Sequence, residues 1–109
     1  MYEHLDIVLM PFPFTDLKAN KVRPALIYSN SNLKEDKICL LITSKKSNDG
    51  IELTKFLIDS ELPLRSWVKP QRIFTISQSK IIKKLSQGNK KLYKVLDTEI
   101  SKFTKLREK

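Results

Sequence analysis

The chain has 109 residues, 21 Lys and Arg against 12 Asp and Glu, and 40% apolar residues. That length implies one domain able to bury roughly two-thirds of the surface its unfolded form exposes, and the apolar content excludes a disordered chain. The longest apolar run, Ile38 to Ile42, is too short to cross a bilayer, and Glu3 and Asp6 in an N-terminus without an apolar core argue against a signal peptide. Cys39 is the only cysteine and lies in that apolar run, so no intrachain disulfide forms and a buried thiol is expected. These features fit a cytoplasmic protein.

The first expected strand runs from Leu5 to Met10 and ends at Pro11 and Pro13, which cannot donate to a ladder. A loop follows, with Phe12, Phe14 and the polar tip Thr15 to Lys21. Arg23 precedes Pro24, which biases it toward an extended conformation at the start of a second strand reaching Ser29. Residues Asn30 to Asp36 read as a hairpin connection, and Lys37 to Thr43 as a third strand buried on both faces. Asp49-Gly50 marks a turn, and Ile51 to Thr54 alternates as a half-buried strand does. Lys55 to Arg65 reads as loop or a short excursion, and Ser66 to Lys69 as a short strand. Phe74 to Ser77 and Lys80 to Leu85 suit either strand or a bend.

The last element is a helix. Leu92, Val95, Leu96, Ile100, Phe103 and Leu106 recur at three- and four-residue steps, with Asn89 as the N-cap. Short strands followed by one helix suggest a small, strongly bent sheet or barrel. Ten of the basic residues and three of the acidic ones fall in residues 80–109. That excess suits a polyanionic partner, and it equally suits a solvated lysine face on the helix.

Several chemistries are excluded. The single His4 rules out a two-histidine acid–base pair, and one Cys with one His cannot make a Cys/His zinc site. Gly50 and Gly88 are the only glycines, so no Gly-rich phosphate loop exists. What remains is arginine, lysine, hydroxyl and amide chemistry. If the second and third strands pair through a hairpin over 30–36, Arg23 falls opposite Thr43 at the open end. A guanidinium beside a hydroxyl can hold a phosphate and stabilise a pentacoordinate phosphorus. Arg23 can also serve as a structural partner of Asp6 or Asp16, and Thr43-Ser44 can be a plain strand end. Phe12, Phe14 and Trp67 can stack on bases or fill a core.

The sequence resembles the MazF/PemK family of toxin–antitoxin endoribonucleases. The resemblance is carried by Asp6-Ile7-Val8-Leu9, the loop Pro11-Phe12-Pro13-Phe14-Thr15-Asp16-Leu17, Lys21-Val22-Arg23-Pro24-Ala25-Leu26, and Leu41-Ile42-Thr43-Ser44. Ser66-Trp67-Val68-Lys69, Ile73-Phe74-Thr75-Ile76 and the terminal helix extend it over nearly the whole chain. It implies an SH3-like β-barrel with a C-terminal helix, a homodimer, and metal-independent cleavage of single-stranded RNA with no cofactor. It also implies a cognate antitoxin whose C-terminal segment occupies the RNA groove, and a toxin–antitoxin complex that binds DNA.

The same resemblance assigns catalysis to Arg23 and Thr43, and lines the substrate groove with Phe14, Thr15, Lys21, Ser44, Lys45, Lys69 and Gln71. Three positions depart from the family pattern. Leu5 replaces a glycine before the first strand, Gln71 replaces an acidic residue carried by some members, and Ser86 replaces a glycine expected after the last strand. The Gln71 departure keeps a second reading open, a module that binds RNA or antitoxin without cutting. A third is a gyrase poison of related fold.

Overall fold

The computed structural model describes residues 2–11, 22–30, 35–58 and 62–104. The strands are β1 (Asp6–Pro11), β2 (Val22–Asn30), β3 (Asp36–Thr43), β4 (Ile51–Glu52), β5 (Leu57–Ile58), β6 (Trp67–Ser77) and β7 (Lys83–Gly88), followed by helix α1 (Lys90–Thr104). Among the described residues they form one seven-stranded sheet in the order β4-β6-β3-β2-β1-β7-β5. Every pairing is antiparallel, and the sheet curls into a half-barrel over one end of which α1 packs.

The central strands are buried on both faces, as the unbroken apolar run of β3 leads one to expect. Alternate residues of each strand point to opposite faces. The inner face carries Ile7, Leu26, Leu40, Ile42 and Val68, closed by Leu92, Leu96 and Ile100 of α1. The outer face carries Val8, Met10, Ala25, Ile27, Cys39 and Phe74, covered by Ile76 and Ile81. Much of the expected stripe holds, with Leu92, Leu96 and Ile100 buried and Val95 half-buried, but Phe103 is exposed where the stripe leaves the sheet. Leu106 lies outside the described residues, and Lys90, Lys91, Lys94 and Lys102 face water. Asn89 is the N-cap, its Oδ1 accepting the Leu92 N–H at 3.0 Å.

Three elements differ from the sequence expectation. Residues 67–69 and 74–77 are not separate pieces but parts of β6, an 11-residue strand that begins one residue after Ser66. Its pairing with β3 is continuous from Trp67 to Lys69 and again from Ile73, while Pro70, Gln71 and Arg72 are left over opposite the Leu40–Leu41 step. Such an excursion breaks the period-two pattern on which the strand reading depends. The alternating stretch 51–54 supplies only two strand residues before a 3-10 turn over Thr54–Phe56. Ser86 lies within β7, opposite Ile7, and not in a turn after the last strand.

Leu5 is held at φ 71°, the left-handed region. Its N–H donates to the Ile27 carbonyl of β2 at 2.7 Å, and its own carbonyl accepts the Gly88 N–H of β7 at 2.9 Å. In an extended residue both groups point to the same neighbour, so serving both neighbours requires this twist. The side chain is 6% exposed and joins the inner core. A residue with a Cβ therefore pays a conformational cost here that glycine would avoid.

Candidate functional site

The β2–β3 pairing joins Ala25 to Leu41, Leu26 to Leu40 and Ile27 to Cys39 before a bulge shifts it beyond Ile27. Carried two residues toward the open end, this register sets Arg23 opposite Thr43. It matches the arrangement expected from the sequence. On the other side Arg23 pairs with Met10 of β1, so it lies across a three-strand platform. Directly opposed residues share a face, which here is the outer one.

The Arg23 side chain is half-buried, and its Nε is buried without a hydrogen-bond partner. Among the described residues it makes no ion pair. The proposed structural partner Asp6 is engaged elsewhere: its carboxylate accepts the Glu3 N–H at 2.8 Å and lies 3.3 Å from Lys84 Nζ. Asp16 lies outside the described residues. A buried, unpartnered guanidinium N–H is costly in a resting protein, and an incoming anion satisfies it.

The Thr43 hydroxyl accepts the Lys45 N–H at 3.1 Å. Its own O–H remains a donor available to a phosphate oxygen. Thr43 also pairs with Trp67, and Leu41 with Lys69, so Lys69 stands one step along the same face. Trp67 is core rather than a stacking platform: it is 9% exposed, with Arg65 stacked 5.4 Å from its ring centroid. Arg23 also borders a cavity of about 530 Å³ that opens on the inner face, beside Ile42, and whose lining includes neither Thr43 nor Lys69. Leu9, Val22, Ile42, Leu62 and Leu64 give it apolar walls, and Arg23, Ser44, Ser66 and Lys83 are its polar lining.

The structure thus gathers Arg23, Thr43, Ser44 and Lys69 at one end of the sheet. Lys45 is exposed beside them, and Gln71 is exposed on the β6 excursion. Phe14, Thr15 and Lys21 lie outside the described residues, as does Phe12. Among the described residues no three His, Cys, Asp or Glu side chains group as metal ligands. No described helix is long and apolar enough to cross a membrane.

Two neighbours escaped the sequence reading. Asp49 lies 3.8 Å from Lys69 Nζ and also accepts the Ser47 hydroxyl. These contacts, with Arg72 close enough to add to them, hold its carboxyl below the usual range, the Ser47 hydrogen bond contributing most. Asp49-Gly50 registered only as a turn signal, and Arg72 lay in a stretch without readable periodicity.

An antiparallel half-barrel closed by one C-terminal helix, with a guanidinium, hydroxyls and a lysine at one end of its sheet, defines the class as a small curled-sheet β protein. The family is then explicit: residues 3–104 match the model of the PemK-like, MazF-like toxins of type II toxin–antitoxin systems, and the chain belongs to that family. No curated protein sequence matches it. Among solved structures it is similar to an endoribonuclease in complex with its cognate antitoxin from a mycobacterial species, with 12% identity, all of both chains covered and a TM-score of 0.72. It is also similar to MazF from Deinococcus radiodurans, with 14% identity, 96% and 97% of the two chains covered and a TM-score of 0.71. At these identities the likeness is one of fold.

Proposed function

We propose that this protein is a toxin endoribonuclease that cleaves single-stranded RNA through the 2′-OH, without a metal. The reading is carried by Arg23, a guanidinium with a buried, unpartnered Nε that the β2–β3 register, carried two residues beyond the Ala25–Leu41 pair, sets opposite Thr43. The toxin family and the endoribonuclease among its structural neighbours support it. RNA brings its own nucleophile, so the protein's task is to position the phosphate and stabilise charge. Arg23 binds the scissile phosphate and stabilises the phosphorane. An arginine keeps its proton in proteins, so its role is electrostatic rather than that of a general base. Thr43 donates to a phosphate oxygen or orients the 2′-OH, and Ser44, Lys45 and Lys69 hold neighbouring phosphates. Attack of the 2′-oxygen on phosphorus expels the 5′-oxygen, which leaves a 2′,3′-cyclic phosphate and a 5′-OH.

The protein acts as a cytoplasmic homodimer of one domain per chain, restrained by a cognate antitoxin seated in the same groove. The antitoxin in the mycobacterial structure motivates that partner, and DNA binding is a property of the joint complex. Gln71, exposed where some relatives carry an acid, favours the second reading of a binding module that does not cut. One assay separates the two: purified protein with single-stranded RNA in chelator, with product ends mapped. We expect cyclic-phosphate ends from the parent, and from a folded Arg23→Ala variant a loss of about 10²–10³-fold or more in rate. Undiminished cleavage by that variant refutes the assignment of Arg23. A folded parent that binds RNA but leaves it intact establishes the binding module.

A further inference from the structure

We infer that Asp49 is a built-in counter-ion that competes with RNA for the cations beside Arg23 and Thr43, a restraint on substrate affinity within the toxin itself. This inference rests on the nuclease reading of the site.

Asp49 stands on the loop that leaves Thr43, and that loop folds back over β6. Its return is fixed tightly: the Gly50 N–H donates to the Ser47 carbonyl at 3.3 Å, and a Cβ added at Gly50 meets the Trp67 Cβ at 3.0 Å. Glycine lets the loop lie close to Trp67 without crowding, and Trp67 is itself the strand partner of Thr43. The loop therefore delivers the Asp49 carboxylate 3.8 Å from Lys69 Nζ. The Ser47 hydroxyl orients the carboxylate. Arg72, exposed on the β6 excursion, is a second cation near enough to add weakly to the hold on this carboxylate.

Lys69 and Asp49 both reach solvent. The Lys69 side chain is 23% exposed and that of Asp49 is 61% exposed. The carboxylate is thus the more exposed partner of the pair, and a phosphate oxygen pairing with Lys69 would compete with it. A carboxylate and a phosphate ask for the same donors, so one must leave for the other to bind. The exposed pair is weak, which makes it readily displaced. A structural role for Asp49 would be to hold Lys69 in place, and it makes the opposite prediction about affinity.

The test measures binding of a 2′-O-methyl single-stranded oligonucleotide, which cannot be cut, across a range of salt. Asp49→Asn should bind about two- to fivefold more tightly at low salt. The dependence of log Kd on log salt should steepen by up to about one phosphate contact. In a Lys69→Gln, Arg72→Gln background the gain from Asp49→Asn should shrink or vanish. Unchanged or weaker binding by Asp49→Asn overturns the inference. So does an undiminished gain in the double-glutamine background, which would report net charge alone. If the parent cuts RNA while Asp49→Asn is silent, only the counter-ion fails. If no form binds RNA, the nuclease reading falls with it.

Discussion

At the scale of single residues, the clearest case is Leu5. It is held at a left-handed φ, a conformation that favours glycine, by a backbone bonded to two different strands. The side chain offsets this by entering the core. Truncation should therefore give an inverted order. Leu5→Ala keeps the strain and loses the packing, at about 2–4 kcal/mol. Leu5→Gly loses the packing but relieves the strain, and should be about 1 kcal/mol more stable than the alanine variant. Urea unfolding of the three proteins checks the order.

Cys39 illustrates burial without function. Its thiol is wholly buried, which pushes it from 9.0 up to about 12. Tyr28 is raised from 10.0 to about 12, first by desolvation and then by Asp97. Both groups hold their proton more tightly folded than unfolded. As pH rises through about 9 to 10, the unfolded chain releases these protons first, so stability present at neutral pH is lost progressively toward pH 12. Denaturant midpoints should fall over that window. A thiol reagent at pH 8 should leave Cys39 unlabelled until denaturant is added.

At the scale of elements, α1 starts well and badly at once. Asn89 caps it, but its first turn has no acidic residue and carries Lys90 and Lys91 against the dipole. Asn89→Ala should cost about 1 kcal/mol, while Lys91→Glu should stabilise by about 0.3–1 kcal/mol at low salt. Thermal or denaturant unfolding decides both signs.

The elements also show where the sequence is legible. Helix α1 and strands β1 to β3 follow from apolar periodicity, and the β2–β3 register follows from the symmetry of the hairpin about residues 30–36. Carried on from the Ala25–Leu41 pair, that register sets Arg23 opposite Thr43. Strand β6 was not legible, because Pro70 to Arg72 interrupt its alternation. The ion pair between Asp49 and Lys69 was not legible either, since it spans 20 positions of sequence and depends on how closely a turn approaches Trp67. Leu62, Leu64 and Lys83 reach the cavity only because the sheet curls, which no local pattern encodes.

At the scale of the molecule, β1 lies between β2 and β7, and the inner core closes only when Leu92, Leu96 and Ile100 arrive. Synthesis delivers those parts last. Domains fold as they emerge, N-terminal parts first, and pairings between distant segments are slow to form. The β2–β3 hairpin that carries Arg23 and Thr43 therefore leaves the ribosome before β7 and α1 exist to back it. Until they follow, the face of Leu26, Leu40 and Ile42 remains open to water. The nascent chain thus passes through a stage at which both candidate residues are synthesised but lack their support. Completion of the fold sets the moment at which the site becomes rigid.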